Sequence, residues 1–172
     1  MDLHDFEGQD LYFDKELPAE VNDLINSAST TYGTPQAEES LMRAFFLEPD
    51  NLEVLVALYR YFYYQHKYKD ALVIARHALK FSGQGVDFPD SWRELKESHI
   101  TAGAVKNMGL VRFYLIALKA AGYINLRLHD FTLAKEIFEK VVELDTSDRL
   151  RVNELLAFAN EHVQSTDNNV VH

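Results

Sequence analysis

No cysteine occurs in the sequence. A disulfide framework, a thiolate metal site and a thiol nucleophile are therefore excluded. Positive charge is scarce as well. Seventeen lysines and arginines stand against 27 aspartates and glutamates, a formal charge of −10 at pH 7. A field of that sign repels phosphate backbones and argues against general nucleic-acid binding. Long apolar runs are missing too: the most apolar stretch, residues 108–128, is interrupted by Arg112, Lys119 and Arg127. It does not read as a membrane span. The opening MDLHDFEGQD is acidic and lacks the basic-then-apolar plan of a signal peptide. A cytoplasmic location is the expectation. No GxxxxGK[ST] phosphate loop is present, the seven histidines contain no HExxH, and no serine sits in a nucleophile elbow. The sequence calls for no cofactor and reads as a non-enzyme.

What is present is a repeat. The chain of 172 residues, 47% hydrophobic and 26% charged, suits one domain with a substantial core. In AEESLMRAFFLEPDN, Ala37, Leu41 and Ala44 fall at offsets 0, 4 and 7. In DALVIARHALKFSG, Ala71, Ala75 and Ala78 repeat those offsets, and Ala71 lies 34 residues after Ala37. A third copy, LAKEIFEKVVELD, places Ala134, Phe138 and Val141 in the same way. A small residue at the head of a helix admits a close neighbour, and the i, i+4, i+7 stripe buries against it. Each stripe has an apolar partner segment upstream: Val21, Leu24, Ile25 and Ala28; then Leu55, Leu58, Tyr59 and Phe62; then Leu118, Ala121, Gly122 and Asn125.

This pattern resembles the tetratricopeptide repeat (TPR) family, whose 34-residue unit is a helical hairpin. The resemblance implies an all-α solenoid of three hairpins, at about 18–51, 52–85 and 115–148, within a single domain over 17–163. Ala71 and Ala134 are 63 residues apart, one period plus 29, so residues 86–114 form an insert with a short helix from Asp90 to about Ser98. The next long helix is expected from near Ala102. Trp92, the one tryptophan, is expected to plug the insert onto the repeats. A capping helix over 149–163 would close the stack, followed by a polar, disordered tail at 164–172. Asn125 departs from the family's usual aromatic, and Thr146 and Gly83 stand where proline is common. Punctuation agrees with the phase: Pro18 and Pro35 suit first helical turns, and Thr34, Asp50 or Asn51, and Asp130 suit N-caps.

In that family the first helix of each hairpin lines a concave groove. Carried over residue by residue, the groove would hold Asn26 from the first repeat, Arg60, Tyr63 and Tyr64 from the second, and Lys119, Tyr123 and Arg127 from the third. The same carry-over adds Ala19, Asn22, Ser29 and Thr30 from the first repeat, Glu53 and Val56 from the second, and Ile116 and Leu126 from the third. Tyrosine and arginine dominate binding hot spots. The implied activity is therefore capture of a protein or peptide segment, an acidic one being favoured by the groove's cations. The carboxylate-clamp branch is not matched, because Asn22 and Ala57 stand where lysine and asparagine are required. The segment LYRYFYYQHKYKDAL carries more aromatics than one core face holds, so Tyr61, Tyr63 and Tyr64 either line the groove or pack on the insert. The N-terminal arm, residues 1–16, mixes acids with Leu3, Phe6, Leu11, Tyr12 and Phe13. It either packs on the first hairpin or fits the groove of the same or another copy, which would make a homo-oligomer. His129–Asp130 looks like the doublet of metal-dependent phosphohydrolases, an enzymatic alternative to helix ending and capping. A self-assembling structural protein is the third reading. Finally, MDLHDFEGQDLYFD, FFLEP, LYRYFYYQH and GLVRFYLIALKAAGYINLRL together resemble small TPR proteins encoded beside bacterial nitrogen-fixation genes. That likeness implies an accessory that acts by contact.

Overall fold

The computed structural model describes residues 16–169, with side chains as far as residue 164. The N-terminal arm lies almost wholly outside the described residues. What is described is all-helical: α1 (Ala19–Thr30), α2 (Pro35–Leu47), α3 (Leu52–Tyr64), α4 (Tyr68–Gly85), α5 (Glu97–Arg127), α6 (Phe131–Leu144) and α7 (Asn153–Asn169), with one 3₁₀ turn at Trp92–Glu94. Among the described residues no helix is long and apolar enough to cross a membrane. The chain forms two compact units, residues 1–78 and 79–172, divided within α4.

In the first unit α1 packs on α2 and α2 on α3. Val21, Ala44 and Val54 form a core cluster, with Leu17, Leu24, Ile25 and Phe45 packed against it. The stripes expected from the repeat are buried: Ala37, Leu41 and Ala44 on α2, Leu55, Leu58, Tyr59 and Phe62 on α3, and Ala71, Ala75 and Ala78 on α4. Pro35 occupies the first turn of α2, where its missing N–H costs nothing. Pro18 stands one place earlier than expected, as the N-cap of α1. Its carbonyl accepts from the Val21 and Asn22 amides. Thr34 precedes α2, but its hydroxyl donates back to the Thr31 carbonyl instead of capping. Of the two expected candidates, Asn51 and not Asp50 caps α3, accepting from the Glu53 and Val54 amides.

The 63-residue offset reappears in the turns. At the end of α3, His66 adopts φ 57°; the Lys67 amide donates to the Phe62 carbonyl at 2.8 Å and the His66 amide to Tyr63 at 3.0 Å. At the end of α5, His129 adopts φ 63°; the Asp130 amide donates to Asn125 at 2.9 Å and the His129 amide to Leu126 at 3.1 Å. Both are Schellman closures, with a histidine where glycine is usual. Asp130 then caps α6 by accepting from the Leu133 amide at 3.1 Å.

In the second unit α5 packs on α6, and α6 on α7. Ala134, Phe138 and Val141 are completely buried, as the third stripe requires. Gly122 sits at the closest approach of α5 to α6: a Cβ there would lie 2.6 Å from the Phe138 ring and 3.0 Å from Ile137 Cγ2. The region between the repeats departs from expectation. Instead of a helix over 90–98 there is the 3₁₀ turn, and α5 begins at Glu97. Leu95, completely buried, is the plug, while Trp92 is half-buried with the Arg93 guanidinium 4.3 Å from its ring centroid. Arg93 donates to Glu136 and Lys140 to the Leu95 carbonyl, which fastens this segment to α6. Inside α5, Asn107 leaves helical geometry and its side chain accepts from the Leu110 amide at 3.0 Å. It is an N-cap set within a helix, and the second half of α5 restarts there. At the other end α7 continues through Asn169, into the stretch expected to be tail. No glycine or proline follows Val152 to stop it.

Candidate functional site

A pocket of about 570 Å³ opens in the first unit, lined by Ala28, Ser29, Tyr32, Leu41, Ala57, Arg60, Tyr61 and Tyr64. Its construction follows from helix periodicity. Ala57, Arg60, Tyr61 and Tyr64 are spaced at 3, 1 and 3, so α3 presents them as one stripe. Ala28 and Ser29 come from the end of α1, and Leu41 from the middle of α2. Three small residues, Ala28, Ser29 and Ala57, leave the space that the aromatic rings and Arg60 surround. The lining is mostly apolar with a few polar groups, the usual composition of a recognition site.

Tyr61 forms a fixed wall. It is 5% exposed, and Tyr32 meets its ring edge-on at 5.9 Å. Its hydroxyl donates to the Thr34 carbonyl at 3.3 Å and faces Glu38 Oε2 at 3.5 Å. Burial, reinforced by the Glu38 carboxylate, holds the Tyr61 hydroxyl above its ordinary pKa. Lys67 donates to the same Glu38 oxygen, and that bond raises the lysine's pKa. Tyr64, by contrast, is 47% exposed. Sequence reasoning left Tyr61 open between groove and packing; its ring is buried in the fold and one edge reaches the pocket.

The other expected groove residues are dispersed. Asn26 is exposed on α1 and is not among the pocket-lining residues. Tyr63 is not among the pocket-lining residues, but it meets the pocket-lining Tyr64 edge-on at 5.4 Å, besides stacking on Tyr59 at 6.2 Å and standing edge-on to Tyr68 at 5.9 Å. Tyr68 in turn bonds the His66 ring through its hydroxyl at 2.8 Å. Tyr123 and Arg127 lie on α5 in the second unit, half-buried and exposed respectively. Lys119 is a correction. Residues 117–122 are all buried; Lys119 is 6% exposed as a residue, and its ammonium donates to the Leu150 carbonyl at 2.7 Å. Its charge braces the loop before α7, which Asp145 also holds through the Leu150 amide.

Sequence reasoning missed Tyr32, Ala57 and Leu41. Tyr32 lies in the α1–α2 turn, outside the repeat positions, and the signal for it was an aromatic beside Gly33, whose φ of +81° fixes the turn. At the alternative site, the Asp130 carboxylate is engaged as a cap, and His129 stands edge-on to Phe131 at 5.8 Å. Among the described residues no group of three or more histidine, aspartate or glutamate side chains gathers as a metal would require.

Over 162 residues the chain is 45% identical to an uncharacterized 19.8 kDa protein in the nifW 5' region of Azotobacter chroococcum mcd 1. The match covers 94% of this chain and 90% of the relative. No protein-family model matches the chain, and no solved structure does.

Proposed function

The chain belongs to the family of this Azotobacter nifW-region protein, and on that premise we propose that it is a non-catalytic, TPR-like interaction module that assists nitrogen fixation by contact. The helical pairs, the shared 34-residue phase and the 63-residue repetition of both stripe and turn support a TPR-like arrangement. The observation that carries the binding reading is the pocket on α1, α2 and α3, with half-exposed Tyr64 beside Arg60 over small residues. An arginine among tyrosines suits a segment that offers an apolar or aromatic side chain next to a carboxylate. The partner is therefore a protein segment of acidic and aromatic character. The relative's place in a nitrogen-fixation gene region supports a partner from that machinery.

The experiment is affinity capture with the full chain from nitrogen-fixing cells at low and at high salt, with the captured proteins identified by mass spectrometry. Expected is a partner from the nitrogen-fixation machinery whose capture weakens as salt rises, because partly exposed charges are screened beyond about 8–10 Å. Capture indifferent to salt would replace the acidic segment by an apolar one. Absence of any partner retained over a scrambled-surface control would end the interaction reading.

A further inference from the structure

The break in α5 is sharper than a bend. From Gly103 to Val111 a straight helix would rise about 12 Å. Instead a Cβ on Gly103 would lie 3.1 Å from Val111 Cγ2 and 2.8 Å from the Phe88 ring. The first part of α5 is therefore turned back on the second, and one extended residue, Asn107 at φ −158° and ψ 98°, makes the turn. Beside it Val105 and Met108 stand 87% and 48% exposed. No proline between residues 97 and 127 requires a break, and the helix on its two sides would join as one rod of 31 residues. We propose that α5 straightens at Asn107 and that the second unit then assembles by exchanging the segment before this hinge with a second copy of the chain.

The contacts across the hinge can be remade between two chains. Phe88 meets the Tyr114 ring edge-on at 5.0 Å, and Gly103 lies against Val111. Arg93 pairs with Glu136 at 2.7 Å, and the Leu95 carbonyl accepts from Lys140 at 3.1 Å. An exchanged dimer keeps these contacts, which makes exchange a low-cost route to a dimer. The difference lies at the hinge. The folded-back form holds the Asn107 cap on the Leu110 amide at 3.0 Å. The straight form replaces that cap with the interrupted run of main-chain hydrogen bonds. It also brings Val105 and Met108 together, three residues apart on one face. In a two-fold pair the straight helices pass each other at the hinge, so this apolar face of one copy covers that of the other. Mass action keeps dilute protein folded back and favours exchange as concentration rises. The α1–α3 pocket plays no part in this, so the proposal can fail or hold apart from the interaction reading.

Full chains carrying Arg93→Cys with Glu136→Cys report which copy supplies each side of the hinge. These side chains meet across it, and the protein has no cysteine of its own. The protein is unfolded in urea, refolded at low and at high concentration, and sized by light scattering. Isolated dimer is then diluted and treated with a short dimaleimide. Expected is a dimer, formed on concentrated refolding, whose crosslink joins two chains on a denaturing gel, while monomer is linked within one chain. Asn107→Ala removes the cap from both folded-back chains and should lower the dimerisation midpoint at least about tenfold. Met108→Pro should abolish the dimer and leave a folded monomer. Proline suits a first helical position and holds the residue before it extended, but interrupts a straight helix. A dimer crosslinked only within chains is a surface contact and overturns the proposal. So does a dimer that Met108→Pro leaves intact or Asn107→Ala does not favour, and so does the absence of dimer in both the parent and the Asn107→Ala chains.

Discussion

Placing a methyl group on Gly122 tests the packing of the second unit, and its cost can be worked from the structure. The new Cβ of Gly122→Ala would stand 2.6 Å from Phe138 Cε1, 3.0 Å from Phe138 Cδ1 and 3.0 Å from Ile137 Cγ2. Contacts that short are repulsive, and neither neighbour has space to retreat: Phe138 is completely buried and Ile137 is 3% exposed. Overpacking of this kind costs about 1–3 kcal/mol. Alanine also gains about 1 kcal/mol over glycine in a helix interior. The two oppose each other, and the net expectation is a loss of about 1 kcal/mol. Gly122→Val forfeits much of the propensity gain and adds two more carbons, so it should lose about 3 kcal/mol. Urea denaturation followed by circular dichroism measures both. The mechanism has a further signature: Phe138→Leu vacates the position the new methyl needs. In the Gly122→Ala background it should therefore cost less than in the wild type, by roughly 0.5–3 kcal/mol of coupling. If Gly122→Ala is instead more stable by the full helix-propensity gain, α5 and α6 do not approach as described and the small-residue argument fails.

Other expectations follow from single sites. Burial pushes the Tyr114 hydroxyl up to about 12, against 10.0 for the ordinary side chain. The unfolded chain thus loses this proton first, so the stability contribution is complete below pH 10 and drains away between pH 10 and 12, by roughly 3 kcal/mol. Alkaline melts of Tyr114→Phe should lack that component, and an identical alkaline slope would refute it. His129→Gly should raise stability by up to about 1 kcal/mol, because glycine carries no penalty at φ 63°; a thermal melt reads the sign, and destabilisation would mean the Schellman closure is not what ends α5. Asn51→Ala should cost about 1 kcal/mol through loss of the α3 cap, checked by the same melt, with no change as the contrary outcome.

Much of the helical plan was legible, and the reason is periodicity. A stripe at i, i+4 and i+7 with a small first residue has one physical use, so Ala71 and Ala134 announced their own burial. Asn51 and Asp130 were legible as caps because their side chains compete well for free amides. The turns were less so. His66 and His129 hold a left-handed conformation that sequence reading assigns to glycine, and only the shared 63-residue offset betrays them. The break in α5 was hidden for a related reason: Asn107 starts a helix in the middle of another, and no proline marks it. Arg60 and Tyr64 line the pocket and are also positions that the TPR resemblance assigns to a groove. Lys119 misled because a lysine in a repeat position suggests an exposed cation, whereas a carbonyl 31 residues away takes its ammonium. Tyr32 escaped because turns carry no periodicity.

The direct test of the interaction account separates the two jobs of α3 in one experiment. Phe62, 6% exposed, belongs to the core, and Phe62→Ala should destabilise by about 3–5 kcal/mol. Arg60→Ala with Tyr64→Ala should leave the melt within about 0.5 kcal/mol of wild type and abolish capture of the partner. A double variant that melts early yet binds its partner normally would show that Arg60 and Tyr64 serve the fold, and would contradict the account.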